Sequence, residues 1–241
     1  MITLVVGASG ATGIRLVEEL LNREQYVKVI VRSPEKLPDS IKNHERLSVI
    51  SASVLELSDE EMQQHVAGCH AVASCLGHNL TFMGVFGKPR RLVTEATQRL
   101  CTAIKANKPE ISIKYVLMNT VANRDLNEPI SFAQRCIIGL LRLLLPPHPD
   151  NEKAAEYLRT VIGQKDNVIE WTAVRPSSLI DEESASEIEV YRSPTRSILK
   201  DGQISRINVG HFMADLITNN DIWNQWRGQM PVIYNKGTAY K

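Results

Sequence analysis

The sequence predicts an α/β fold, a doubly wound parallel sheet in one domain, on three observations. The first thirteen residues run from an apolar, β-branched strand, Ile2 to Val6, into a glycine-punctuated turn that opens a helical pattern. Short apolar runs then alternate with helical patterns along almost the whole chain. The 241 residues suffice for one full core, and no shift of composition, internal repeat or low-complexity tract marks a second domain.

In the turn Gly7-Ala8-Ser9-Gly10-Ala11-Thr12-Gly13, Gly7 suits a tight exit from the strand and Gly10 a close approach of backbone to a pyrophosphate. Gly13 lets the next helix pack closely on the sheet, and the free N–H groups at that helix start would face an anion. The spacing is G-x-x-G-x-x-G and not G-x-G-x-x-G, so the dinucleotide fingerprint is matched in mechanism and not letter for letter. Its context is the stronger signal. Ile14, Val17, Leu20 and Leu21 follow at helical spacing, and Tyr26 to Val31 reads as the second strand of a βαβ unit.

Where such a fold meets the adenosine ribose, an Asp or Glu would hold two hydroxyls; this chain offers Arg32, with Ser33 beside it and Lys36 near. That favours a 2′-phosphate, hence NADP(H) over NAD(H). Leu47 to Ser51 reads as a third strand, with Ser53 and Val54 in the loop over the adenine. Leu57 to Ala67 reads as a helix with a capping box formed by Ser58 and Glu61. His70 to Gly77 reads as a fourth strand whose terminal Leu76 and Gly77 suit a cofactor's approach.

The loop from Gly77 to Arg91 carries Phe82, Met83, Val85 and Phe86, which suit a substrate cleft, a subunit contact or simple packing under the loop. His78 reads foremost as an exposed loop histidine, and as a group that could orient a carbonyl. Lys88, Arg90 and Arg91 stand at the start of a helix running to Ala106, where cations oppose the dipole; they read foremost as a solvated charge cluster, and a local anion would also rationalise them. Ile113 to Met118 is the expected fifth strand, delivering Asn119 and Thr120 to the rim where ligands collect in such sheets.

Residues 124–150 are the least regular. Ile137 to Leu145 is apolar on nearly every face, which suits a lid, a dimer face or a buried core helix stopped by Pro146-Pro147. Asn151 to Gly163 reads as a helix and Val168 to Val174 as a sixth strand leading to Arg175 and Pro176, a proline beside the expected nicotinamide position. Asn208 to Thr218 reads as a helix capped by Asn208, and Met230 to Tyr234 as a last strand.

A net charge of +1 with both signs interspersed leaves no electrostatic footprint for nucleic acid or an acidic membrane, so the expected partner is a small molecule, with the chain a monomer or homodimer. Cys69, Cys75, Cys101 and Cys136 have no metal-ligand spacing and read as core residues of a reducing compartment. With no charged leader visible before the first strand, the expectation is a cytoplasmic protein.

In these residues the chain resembles the atypical short-chain dehydrogenase/reductases with a divergent NAD(P)H-binding, Rossmann-like domain, including the biliverdin-IXβ/flavin reductase type and NmrA-like relatives. The carrying pieces are the Gly7–Gly13 turn, Val31-Arg32-Ser33, Leu76-Gly77, Asn119-Thr120, Glu156-Tyr157-Leu158-Arg159, Val174-Arg175-Pro176 and Asn208-Val209-Gly210-His211-Phe212. The resemblance implies hydride transfer from NADPH to a flat or carbonyl acceptor, such as a flavin or quinone, in a small C-terminal substrate cleft. By position, Gly7, Ser9, Gly10, Ala11, Thr12 and Gly13 would hold the pyrophosphate, Arg32 and Ser33 the 2′-phosphate, and Leu76 and Gly77 the adenosine side. Asn119 and Pro176 would line the nicotinamide end, and Thr120 would be the polar residue near the reacting centre.

Three departures stand out. Ser53 replaces the acidic residue common beside the adenine, although Val54 retains backbone groups. No Tyr-x-x-x-Lys pair follows Thr120, since Tyr157 is followed four residues later by Val161. Lys153 lies three residues before Glu156 where relatives show four, a rotation of about 100° on a helix. The missing pair keeps open a second reading, a non-catalytic redox sensor that binds the dinucleotide and reports to a protein partner. A dehydratase or epimerase using bound NAD fits poorly, because Arg32 replaces the acidic residue.

Overall fold

The structure is a computed structural model that describes residues 1–78, 87, 89–125, 128, 139, 147–196 and 202–237. The expected βαβ unit forms as β1 (Ile2–Val6), α1 (Ala11–Asn22) and β2 (Tyr26–Val31), followed by a 3₁₀ turn (Pro34–Lys36) and the short α2 (Asp39–Lys42). Then come β3 (Leu47–Ser51), α3 (Asp59–Val66), β4 (Ala71–Ser74), α4 (Leu92–Ala106) and β5 (Ile113–Met118). α5 (Pro147–Tyr157) continues as a π turn (Leu158–Ile162) into β6 (Ile169–Pro176), β7 (Ser178–Ile180) and β8 (Ile188–Tyr191). β9 (Gln203–Ser205), α6 (Arg206–Thr218), α7 (Asn220–Trp226) and β10 (Val232–Asn235) complete the described chain.

The main sheet has the order β3-β2-β1-β4-β5-β6-β10-β8, parallel throughout except for β8, which runs antiparallel to β10. Its first six strands have the 3-2-1-4-5-6 order of a doubly wound dinucleotide fold, with the switch point between β1 and β4. A small two-stranded sheet, β7 with β9, stands apart.

Alternation along the strands sends side chains to two cores. Val5, Val116, Val174 and Ile233 face one, shared with Leu16, Val17 and Leu20 of α1 and Val209, Phe212 and Met213 of α6. Leu4, Val6, Tyr115, Leu117 and Trp171 face the other, shared with Leu100 and Ile104 of α4 and Ala154, Ala155 and Leu158 of α5 and its π turn. Helices thus cover both faces, as parallel strands require. α6 lies against α1 because residue 210 is glycine: a Cβ there would sit 2.9 Å from the Arg15 carbonyl carbon and the Leu16 nitrogen.

Four sequence expectations change. Pro147 opens α5 instead of only closing the segment before it, since proline is tolerated in a helix's first turn, where its missing N–H costs nothing. α6 begins at Arg206 with Ser205 as its cap, whose hydroxyl accepts the Asn208 N–H at 3.3 Å. The Asn208 side chain is instead committed to Asn235 Oδ1 at 2.7 Å and Ser186 Oγ at 2.9 Å. The last strand is shifted to Val232–Asn235, and the ladder of β4 ends at Ser74, so Cys75 to His78 continue without strand pairing. The readings made for Phe82, Met83, Val85, Phe86, Lys88, Cys136 and the apolar run 137–145 lie on residues outside the described set, apart from Gly139.

Candidate functional site

Every strand from β1 to β6 delivers its carboxyl end to the same rim, and the residues singled out in the sequence gather there. At the end of β1, Gly7 has φ +75°, and a Cβ on it would come within 2.5 Å of the Cys75 carbonyl carbon. A Cβ on Gly13 would lie 2.1 Å from Gly7 O, so both positions are demanded by the protein's own packing. Gly10 differs. Its Cβ would meet only Gly7 O, at 3.2 Å, a tight contact but a much milder one than at Gly7 or Gly13.

Gly10 is the N-cap of α1, with no side-chain cap bond and no acidic residue in the first turn. The N–H groups of Ala11, Thr12 and Gly13, beside Ser9, are thus the free donors of a helix start, with no side-chain cap among the described residues. Arg32, just past β2, is exposed and makes no hydrogen bond or ion pair among the described residues; Ser33 is half-buried and Lys36 exposed beside it. After β3, Ser53 O closes the local turn by accepting from Glu56 N at 2.9 Å. Val54 packs into the core, and its carbonyl accepts from Arg99 Nη1 at 3.0 Å, so Val54 has only its N–H left to offer a ligand.

Past β4, Leu76 is half-buried and Gly77 is exposed, with nothing within 4 Å of where a Cβ would stand. His78 is a correction. Its side chain is 5% exposed and its Nε2 lies 2.8 Å from Asp150 Oδ2. Asp150, itself 1% exposed, also accepts from Val93 N (2.8 Å), Thr94 N (2.9 Å) and Thr94 Oγ1 (2.6 Å). It is the anion at the N-terminus of α4 that the flanking arginines suggested, though it serves the helix dipole and not those cations. Burial pushes the Asp150 carboxyl up, but the bonds from His78 and Thr94 and from the Val93 and Thr94 amides outweigh it and hold it below the ordinary 3.8.

Past β5, Asn119 is a hub. Its Oδ1 accepts from Thr120 N (2.8 Å) and Asn123 Nδ2 (3.1 Å), and its Nδ2 donates to Asn151 O (3.0 Å). Buried and making three of its four hydrogen bonds within the protein, Asn119 shapes the rim and keeps one Nδ2 hydrogen uncommitted among the described residues. Thr120 is half-buried, and its hydroxyl only accepts, from Ala122 N at 3.4 Å, which leaves its proton free to donate. Pro176 is buried at the end of β6, where its carbonyl accepts from Val121 N at 3.1 Å.

Sequence reasoning missed Arg175's role. Fully buried, it directs all its donor atoms inward: Nε to Met230 O (2.6 Å), Nη1 to Asn123 O (3.0 Å) and Glu128 Oε2 (3.2 Å), and Nη2 to Glu128 Oε1 (2.7 Å) and Arg192 O (2.8 Å). Neither this node nor the His78–Asp150 pair has a local sequence signal, since their partners stand 47 to 72 residues apart except for Arg192. Tyr157 lies on α5 but packs against the core, and burial first, then Cys101 and Asp166, pushes its phenol up to about 12. That is the wrong direction for a proton donor near neutral pH. Lys153 is exposed on the same helix.

Among the described residues no helix is long and apolar enough to cross a membrane, and no cluster of His, Cys, Asp and Glu could hold a metal ion. The described cysteines, Cys69, Cys75 and Cys101, are buried and unpaired, and burial raises the Cys75 thiol to about 12.

The fold recurs in solved structures. The oxidoreductase ylbE of Lactococcus lactis superposes with a TM-score of 0.71 at 18% identity, covering 99% of this chain and 93% of that one. A short-chain dehydrogenase/reductase of Veillonella parvula in complex with NADP gives 0.70 at 16%, covering 99% and 96%. A Streptococcus pneumoniae protein described as a candidate NADH-flavin reductase gives 0.66 at 19%, covering 98% and 100%. An uncharacterized chloroplastic protein of Arabidopsis thaliana is 28% identical over 219 residues, 90% of this chain and 72% of that protein. A family model described as NAD(P)H-binding matches residues 7–220, from the glycine turn to the end of α6 and beyond. A match of that extent makes the chain a member of the NAD(P)H-binding family.

Proposed function

We propose that the protein is an NADPH-dependent reductase that passes hydride to a small planar or carbonyl acceptor. The observation that carries the reading is the pairing of an uncapped, acid-free α1 N-terminus with an exposed and unpartnered Arg32 one strand away. The first suits a pyrophosphate and the second a 2′-phosphate. When bound, the nicotinamide supplies the hydride from its C4.

The chain's own work is to bind and orient. Ser9 and the amides of Ala11, Thr12 and Gly13 receive the pyrophosphate over Gly10, while Arg32 and Ser33 grip the phosphate on the ribose. Ser53 and the Val54 N–H border the adenine, and Leu76 and Gly77 give the adenosine side a surface without protruding side chains. Thr120 orients the acceptor by a hydrogen bond from its hydroxyl, with Asn119 and Pro176 holding that rim in shape. The test is calorimetric titration of NADPH and NADH, followed by oxidation of NADPH at 340 nm against FMN, a quinone, a linear tetrapyrrole and simple aldehydes. Turnover with one acceptor class supports the reductase.

A second reading is a dinucleotide-binding redox sensor. The raised Tyr157, without a lysine four residues on, favours it. Tight NADPH binding with no turnover in the whole panel would select this reading.

A further inference from the structure

The rim carries one chemical pair that cofactor binding does not use. We infer that His78, held by Asp150, is the proton donor of the site, and that the acceptor is therefore a carbonyl whose oxygen must be protonated. The inference rests on the reductase reading above and supplies what the missing Tyr-x-x-x-Lys pair would otherwise provide.

Three observations place His78 in this role. The chain leaving β4 runs beside the chain leaving β5, with Ser74 opposite Leu117, so His78 and Thr120 lie just past the carboxyl ends of two neighbouring strands, on the same rim. That rim is the half of a doubly wound sheet beyond the switch point, across the pyrophosphate turn from Arg32. The pair is also tied to the β5 rim: Asn119 donates to Asn151 O, and Asn151 follows Asp150 directly.

The geometry also fixes which nitrogen does the work. A carboxylate held ionised by three hydrogen bonds from Val93 and Thr94 accepts from His78 Nε2, so Nε2 keeps its hydrogen. Nδ1 makes no hydrogen bond among the described residues and is the position from which a proton leaves. Among the described residues Asp150 is the charged group on this ring. His148 and Glu152 stand two positions to either side of it on α5 and so project about 200° away. Arg90 and Arg91, before α4, are exposed to solvent.

The balance is that of a carbonyl reduction. The carbonyl carbon gains a hydride from NADPH, the C=O π pair moves to oxygen, and that oxygen takes the proton from Nδ1. The products are an alcohol, NADP⁺ and a neutral His78, which is reprotonated from water while Asp150 keeps its bond to Nε2.

The test separates this role from a structural one. His78→Gln preserves a donor to Asp150 and hence the cap of α4; it is expected to lower kcat for an aldehyde or quinone about 100-fold with NADPH affinity unchanged. In His78→Ala, added imidazole should restore activity at least tenfold, on the order of what a mobile base recovers. Independently of turnover, the His78 ring resonances of the wild-type protein should shift with NADP⁺ and stay in place with adenosine 2′,5′-bisphosphate, which fills only the adenosine end. Unchanged kcat in His78→Gln, no imidazole rescue, or resonances that ignore NADP⁺ or follow the bisphosphate equally would each overturn the donor role alone. Absence of turnover by the wild-type protein with every acceptor would overturn the reductase reading and this role with it.

Discussion

Two glycines three residues apart in the first turn face different surroundings. At Gly13 the obstacle to a side chain is Gly7 O, 2.1 Å from where a Cβ would stand, so Gly13→Ala should destabilise the protein by roughly 1–3 kcal/mol, or prevent folding, as overpacking does. At Gly10 the one obstacle is Gly7 O at 3.2 Å, a milder clash, so Gly10→Val should lower the melting temperature less than Gly13→Ala does while abolishing calorimetric binding of NADPH and NADH alike. Equal loss of stability in both variants would make Gly10 a packing residue only. Arg32→Ala should weaken NADPH about 10- to 100-fold, the worth of charge-assisted bonds to one phosphate, and leave NADH unchanged. The glycine turn and the cation at the end of β2 were legible because backbone shape and position are what short stretches encode. His78 was not legible: only its distant partner distinguishes it from an exposed loop histidine.

At the scale of elements, the N-terminus of α4 shows what one buried carboxylate does for a helix. Asp150 satisfies the Val93 and Thr94 amides from a different element, joining α5 to α4. Asp150→Asn should cost about 2–3 kcal/mol in urea denaturation at neutral pH, the range for hydrogen bonds to a charged group. The pH dependence has a definite sign. The folded carboxyl lies below its ordinary 3.8, so its stabilisation is complete above that value and is lost as pH falls below it through the folded pKa. Asp150→Asn should therefore flatten the acid limb of the stability curve in that range. The strands β1, β2, β3 and β5 and the capping box at Ser58 and Glu61 were readable in the sequence, since alternation, β-branching and a local capping pattern suffice for them. β7, β8 and β9 were not: each is three or four residues long and gains its definition from pairing with distant strands.

Across the whole molecule, Arg175 ties together segments that lie far apart in the chain. It binds β6 to the carbonyl of Met230 ahead of β10, to Asn123 and Glu128 after β5, and to Arg192 after β8. Arg175→Met should cost about 3–5 kcal/mol, because Glu128 is left buried and uncompensated, and Glu128→Leu in the same chain should recover part of it. Chemical denaturation of the single and double variants gives both numbers. No short motif announces such a node, because its acceptors sit on residues far apart in the chain.

The seat of α6 on α1 at Gly210 has a consequence for synthesis. α1 is complete by residue 22, yet the apolar side that it shares with Val209, Phe212 and Met213 has no cover until α6 has been made. A chain leaving the ribosome therefore carries an unsealed sheet face through most of its translation. Contacts of such long sequence separation slow folding and leave sticky surface exposed meanwhile. Nascent chains halted before residue 206 should be held by chaperones or aggregate, whereas release after Thr218 should let the first βαβ unit close.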